Sequence, residues 1–192
     1  MSKGKLIVLS APSGTGKTSI CRLLLERNEN WTFSVSSTTR EPREGEVDGI
    51  DYIFIDNEKF EHQVKFGDFI EWEWVHGNKY GTLLSQLEDA LDDGKIMLLD
   101  LDVKGGVSIM NEFPDDTITI FIEPPGDNLA EMKEVLEERL NQRSNTPITL
   151  IKKRLKRLEL ELEHKEHFEH SFINYDLEET TDEIENKIKE NI

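Results

Sequence analysis

Apolar and polar positions follow two rhythms along this chain. Four apolar residues in succession, Leu6 to Leu9, form the run of a parallel strand buried on both faces, predicted over residues 6–10. Residues 18–27 place Ile20, Leu23 and Leu24 on one face of a helix. Apolar runs predict further core strands over 96–101 and 117–122 and a short one over 171–174. Helical spacing predicts helices over 57–66 behind a cap at Asp56, over 82–92 ended by Gly94, and over 105–111. A long charged helix follows Pro124-Pro125 to about 142. After a polar break at 144–147 another spans 149–168, and an amphipathic helix with Ile184 and Ile188 starts at Thr181. Between 33 and 82 the rhythm changes to short β segments: 33–39, 52–55 and the alternating stretch 69–75, with a charged loop over 40–49 and a turn over 77–81. Strands alternating with helices imply an α/β fold with a parallel sheet in a three-layer core. The expected organisation is one domain: a core of 1–32, 83–125 and 161–192, a small mixed-β insert over 33–82, and a helical lid over 126–160.

The junction between the first strand and the first helix carries the strongest chemistry. LSAPSGTGKT, residues 9–18, runs from strand to small-residue turn to helix. Backbone N–H groups of such a loop converge on an anion, and the helix N-terminus adds partial positive charge. Lys17 then reaches the β- and γ-phosphates of a nucleoside triphosphate, and the Thr18 hydroxyl ligates Mg²⁺. Ala11 stands where the usual pattern has its first glycine, while Gly14 and Gly16 are kept.

Charge changes the list of partners. A net charge of −17 argues against nucleic-acid binding, which needs a basic face. It also requires any phosphate site to gather its Arg and Lys locally. One cysteine, Cys21, excludes an intrachain disulfide and reads as a small core residue. No apolar run approaches the length of a membrane span, and the N-terminus lacks a signal-peptide core, so a cytoplasmic protein with no membrane partner is expected.

Other constellations complete the picture. MLLDLD, 97–102, sets Asp100 and Asp102 at the carboxyl end of a core strand, where open α/β sheets bind ligands. Asp100 there can hold Mg²⁺ through water or position a substrate group. SVSSTTREPREGE, 34–46, puts Arg40 and Arg43 three apart among Ser and Thr hydroxyls, a set suited to a phosphate monoester dianion. Residues 44–54 and 69–82 add Tyr52, Glu71, Tyr80 and Thr82. A carboxylate such as Glu71 complements the adjacent N1–H and N2–H₂ donors of guanine, which adenine lacks. Trp72 and Trp74 alternate onto the face opposite Glu71 and Glu73 and read as packing residues. The lid segment carries Arg139, Arg143, Arg154 and Arg157, some of which can neutralise transferring phosphate charge.

Taken together, LSAPSGTGKT, FSVSSTTREPREGEVDGIDYIF, FIEWEWVHGNKYGT, LLDLDVKGG and FINYDL make the chain resemble guanylate kinases over about residues 5–188. The resemblance implies that Ser36, Arg40, Arg43, Tyr52, Glu71, Tyr80, Thr82 and Asp100 bind GMP. Arg40, Arg43, Tyr52 and Tyr80 would hold its phosphate, and Ser36, Glu71 and Thr82, with Asp102, would read its base. Ser13, Gly14, Thr15, Gly16, Lys17 and Thr18 would hold ATP phosphates with Arg143 and Arg154, and Asn174 would lie near the adenine. Lys17, Arg40, Arg143 and Arg154 would be the catalytic set, with Mg²⁺ as cofactor. The segment before Arg143 is longer than the family pattern, and 144–151 lack its usual glycine and acidic run.

The implied reaction is transfer of the γ-phosphoryl group of Mg·ATP to GMP or dGMP, in a monomer or weak homo-oligomer. Alternatives are a non-catalytic binding module of the same fold, or a kinase with another phosphorylated acceptor. A GTPase would need an Asn-Lys-x-Asp string, and Asn78-Lys79-Tyr80-Gly81 fails at its last position.

Overall fold

The computed structural model describes residues 3–75, 77–142 and 147–192. Its centre is a five-stranded sheet. Strands β1 (Lys5–Ser10), β2 (Trp31–Phe33), β7 (Ile96–Asp100), β8 (Thr117–Glu123) and β9 (His170–Ile173) lie in the order β2-β7-β1-β8-β9. Every neighbouring pair is parallel. The alternation in β1 explains the layers. Leu6 and Val8 point to one face and Ile7 and Leu9 to the other, and all four are fully buried. On the first face lie α3 (Leu84–Asp92) and α4 (Val103–Glu112). On the second lie α1 (Lys17–Arg27) and α7 (Leu177–Glu190), which contribute Ile20, Leu24, Ile184 and Ile188. The three-layer α/β core is thus present as expected. Cys21 is buried in the second cluster, and burial pushes its thiol up to about 12, which leaves it protonated and inert.

A second, four-stranded sheet joins β3 (Ser37–Thr38), β4 (Ile53–Phe54), β5 (Phe69–Val75) and β6 (Asn78–Leu83) in the order β4-β3-β6-β5. Helix α2 (Asn57–Phe66) starts at Asp56, whose carboxylate accepts the Lys59 N–H at 2.7 Å. Two helices, α5 (Leu129–Gln142) and α6 (Ile148–Glu163), pack side by side, and a 3₁₀ turn, His164–His167, leads from α6 to β9.

Several boundaries differ from the sequence expectation, each for a physical reason. Residues 33–39 form no single strand: Phe33 ends β2 in the core sheet, and Ser37 begins β3 in the other. The expected turn at 77–81 is the strand β6. Its polar composition is outweighed by main-chain pairing with β5 on one side and β3 on the other. Gly81 fits there because a side chain would collide with the Phe69 ring 2.9 Å away. Thr82 therefore lies in a strand, not at a helix start. Helix α7 begins at Leu177, where Asp176 caps the Glu178 and Glu179 N–H groups. Trp72 and Trp74 stay substantially exposed, 42% and 59%. Their packing is through ring contacts: Trp72 edge-on to Phe60, and Trp74 beneath the Lys79 ammonium at 5.2 Å.

Candidate active site

The carboxyl end of the central sheet collects the candidate residues. β1 runs straight into the loop 11–16. Its neighbour β7 is registered so that Asp100 pairs with Leu9, one residue short of that loop. This register brings Asp100 to the first turn of α1. The Thr18 hydroxyl donates to Asp100 Oδ2 at 3.2 Å, and the Lys17 ammonium pairs with Asp100 Oδ1 and donates to the Leu101 carbonyl at 2.8 Å. A hydroxyl beside a carboxylate is an oxygen donor set that suits Mg²⁺, which takes few protein ligands and keeps its other positions for water and phosphate.

The loop itself is held from outside. Gly16 adopts φ 108°, and a side chain there would strike the Asn174 amide at 2.5 Å, so only glycine fits. The Asn174 amide donates to the Thr15 carbonyl at 2.6 Å, and Arg139 of α5 donates to that carbonyl at 3.2 Å and to the Asn174 carbonyl at 2.9 Å. Burial lowers the Arg139 pKa from its usual range. Leu136 and Leu140 of α5 press on Gly14. Arg139 and Asn174 thus shape the loop by gripping its backbone. Asn174→Ala is expected to destabilise the fold by about 1–2 kcal/mol through this buried bond, measured by denaturant unfolding; an unchanged midpoint would contradict that role.

Beside the loop lies a cavity of about 340 Å³, walled by both sheets. Ser36, Arg40, Arg43, Tyr52, Glu71, Tyr80, Asp100 and Asp102 all line it. The period of two on β5 and β6 explains the convergence: Glu71, Glu73, Tyr80 and Thr82 face the same way, and register pairs Glu71 with Thr82 and Glu73 with Tyr80. Thr82 is fully buried behind the cavity wall, and its hydroxyl donates to Glu71 Oε1 at 2.5 Å. Burial is the main cause that raises the Glu71 pKa, and the Thr82 hydrogen bond opposes it. Asp102 also caps α4 by accepting the Gly105 N–H at 2.9 Å. Burial and then the Asp102 charge raise the Glu73 carboxyl. Arg40 lies over the Tyr52 ring at 5.2 Å and donates from Nε to the Tyr80 hydroxyl at 3.2 Å.

Two charged cavity residues, Glu46 and Glu73, escaped the sequence reading. The available signals were Glu46's place in the arginine loop and Glu73's shared face with Glu71. Arg154 lies with Ser13 at a smaller cavity of about 160 Å³, also lined by Lys153, Arg157 and Glu161 of α6. Arg143 lies outside the described residues, as do Ser144 to Thr146.

Glu161 is a half-buried carboxyl in that second cavity, 3.9 Å from Arg157 Nε and within the fields of Asp102 and Lys17. Burial raises it from 4.5 to about 7. Between those values the folded chain holds a proton that the unfolded chain has released, so this group makes stability fall as pH rises through the window. Glu161→Gln is therefore expected to raise the melting temperature at pH 8 and to leave it unchanged at pH 5. An equal change at both values would contradict the assignment.

Among the described residues, no helix is long and apolar enough to cross a membrane. The sequence model of the family described as guanylate kinase matches residues 3–191. A guanylate kinase of Chlorobium luteolum is 45% identical over 181 residues, covering 94% of this chain and 89% of that protein. One of Fusobacterium nucleatum is 41% identical over 193 residues, covering 98% of this chain and 100% of that protein. The crystal structure of guanylate kinase from Anaplasma phagocytophilum superposes with a TM-score of 0.77 at 36% identity, over 98% of this chain and 86% of that one. With that match running through the phosphate loop, the arginine loop and both cavity walls, this chain belongs to the guanylate kinase family.

Proposed function

We propose that the protein transfers the γ-phosphoryl group of ATP to the 5′-phosphate of GMP, giving ADP and GDP. One observation carries the reading. A single cavity holds a half-buried carboxylate, Glu71, together with two arginines and two tyrosine hydroxyls, and it opens beside the phosphate loop through Asp100. The carboxylate accepts from N1–H and N2–H₂ of guanine, with Ser36, Thr82 and Asp102 around the base. Arg40, Arg43, Tyr52 and Tyr80 take the acceptor phosphate. An oxygen of that dianion attacks the γ-phosphorus and the bond to the ADP oxygen breaks, so no base is needed to generate the nucleophile.

The protein's task is alignment and charge neutralisation. Lys17 supplies a point charge, and Arg154, from α6, supplies another beside Ser13. Thr18 and Asp100 would hold Mg²⁺, which when bound would supply charge neutralisation to the phosphates. The lid helices exclude water as a competing acceptor. Core, insert and lid then act as the three working parts of the chain. We place this activity in the cytoplasm, the compartment that supplies ATP, the proposed donor.

A coupled assay of ADP release in Mg·ATP, with and without GMP, tests the reading. GMP-dependent release is expected, and release that ignores GMP would refute it. The reading as a non-catalytic binding module draws no support from a site in which Lys17, Thr18 and Asp100 stand in contact.

A further inference from the structure

Glu46 is not part of any phosphate or base contact derived above, yet it is bonded to the centre of the phosphate pocket. Its carboxylate meets the Arg40 fork at both ends, Nη1 to Oε2 at 2.9 Å and Nη2 to Oε1 at 2.9 Å. Oε2 also accepts the backbone N–H of Arg43 at 2.7 Å. The chain can double back this tightly because Gly45 adopts φ 89° and the Glu46 N–H bonds the Arg43 carbonyl at 3.1 Å. One side chain therefore fixes the plane of the first arginine and the backbone of the second.

The hydrogen-bond inventory of Arg40 sharpens the point. A guanidinium has five N–H groups. Nε donates to Tyr80, Nη1 donates to Glu46 and to the Glu41 carbonyl at 2.7 Å, and Nη2 donates to Glu46. The side chain is only 12% exposed, with its face over Tyr52 and Phe54. Arg40 therefore enters the cavity with its orientation determined and one Nη2 hydrogen available. The Arg40 hydrogen bond is the largest of the causes that hold the Glu46 carboxyl below its usual range, so Glu46 is charged at neutral pH. A carboxylate so close to a phosphate site could instead compete with the substrate for Arg40. Its additional grip on the Arg43 backbone argues for a scaffold, because a displaced competitor would release the loop that carries Arg43 whenever substrate arrived.

The geometry points to Glu46 as a positioning residue for the acceptor phosphate, acting through Arg40 and the Arg43 loop. The inference rests on the proposed function, since it takes GMP as the acceptor. Glu46→Gln keeps the volume but offers one acceptor and one amide that opposes the fork. It is expected to raise KM for GMP about tenfold, with kcat, KM for ATP and the melting temperature nearly unchanged. Glu46→Asp, which keeps the charge but cannot span both fork ends, should fall between the two.

Arg40→Ala supplies the control. If Glu46 acts through Arg40, adding Glu46→Gln to Arg40→Ala leaves KM for GMP close to that of Arg40→Ala alone. An unchanged or lower KM in Glu46→Gln would overturn the inference and mark the carboxylate as a competitor. A full additional rise in the double variant would overturn it as well. Wild-type protein that fails to phosphorylate GMP would refute the proposed function itself, so the two failures are distinct.

Discussion

Lys17→Ala is expected to lower kcat roughly a thousandfold, about 4 kcal/mol of transition-state stabilisation. The reason lies in where the ammonium sits. Lys17 opens α1 at the end of the phosphate loop, and its Nζ is held by Asp100 and the Leu101 carbonyl. From there a flexible stem can carry a compact charge to the phosphates of a triphosphate held by the loop, as proposed above. Charge on the transferring group is what this class of reaction must neutralise, and no other group in the loop itself is cationic. GMP affinity should stay within about twofold, because Lys17 does not line the cavity assigned to GMP. Rapid-quench turnover and calorimetric GMP titration check the two halves separately. A variant that keeps a tenth or more of wild-type kcat would contradict the assignment of this loop. So would loss of GMP binding with the melting temperature preserved.

Glu71→Gln is expected to reduce kcat/KM for GMP about thirtyfold or more, some 2 kcal/mol, with KM for ATP unchanged. The substitution replaces a double acceptor by one acceptor and one donor. The donor then faces a guanine donor in a half-buried site, where an unmatched pair is costly. Thr82 strengthens the effect: its hydroxyl already donates to Oε1 and fixes the carboxylate plane. A pH dependence follows with a definite sign. Burial raises the Glu71 pKa, and only the ionised form accepts from both guanine groups. In wild type, kcat/KM for GMP should therefore fall as pH drops through that raised pKa. The Gln variant should lose this acid limb. An unchanged kcat/KM in the variant would remove Glu71 from the base site.

The legible parts of this protein were those written in contiguous residues. The phosphate loop needs only a strand, a small-residue turn and a helix in succession, and LSAPSGTGKT supplies them. The arginine loop was visible for the same reason, since Arg40 and Arg43 stand three apart. Glu71 was visible through its chemistry, and β5's alternation set its face against Trp72 and Trp74. What escaped was defined by tertiary contact. β6 looks like a turn because Asn78, Lys79 and Gly81 disfavour strands; two flanking strands override that preference. The Arg139–Thr15–Asn174 node joins residues 124, 35 and 159 positions apart. No local pattern distinguishes Arg139 from its neighbours on a charged helix. Glu46 escaped because an acidic residue in an acidic chain carries no signal until its partner is seen.

The central claim is that a half-buried carboxylate in the cavity beside the phosphate loop selects guanine. The most direct test compares acceptors that differ only at the base edge. Under Mg·ATP, kcat/KM should be highest for GMP, lower for inosine monophosphate, which lacks the 2-amino donor, and lowest for AMP, which lacks both donors. Glu71→Gln should compress that ranking. Phosphorylation of AMP as efficient as that of GMP by the wild-type protein would contradict the account.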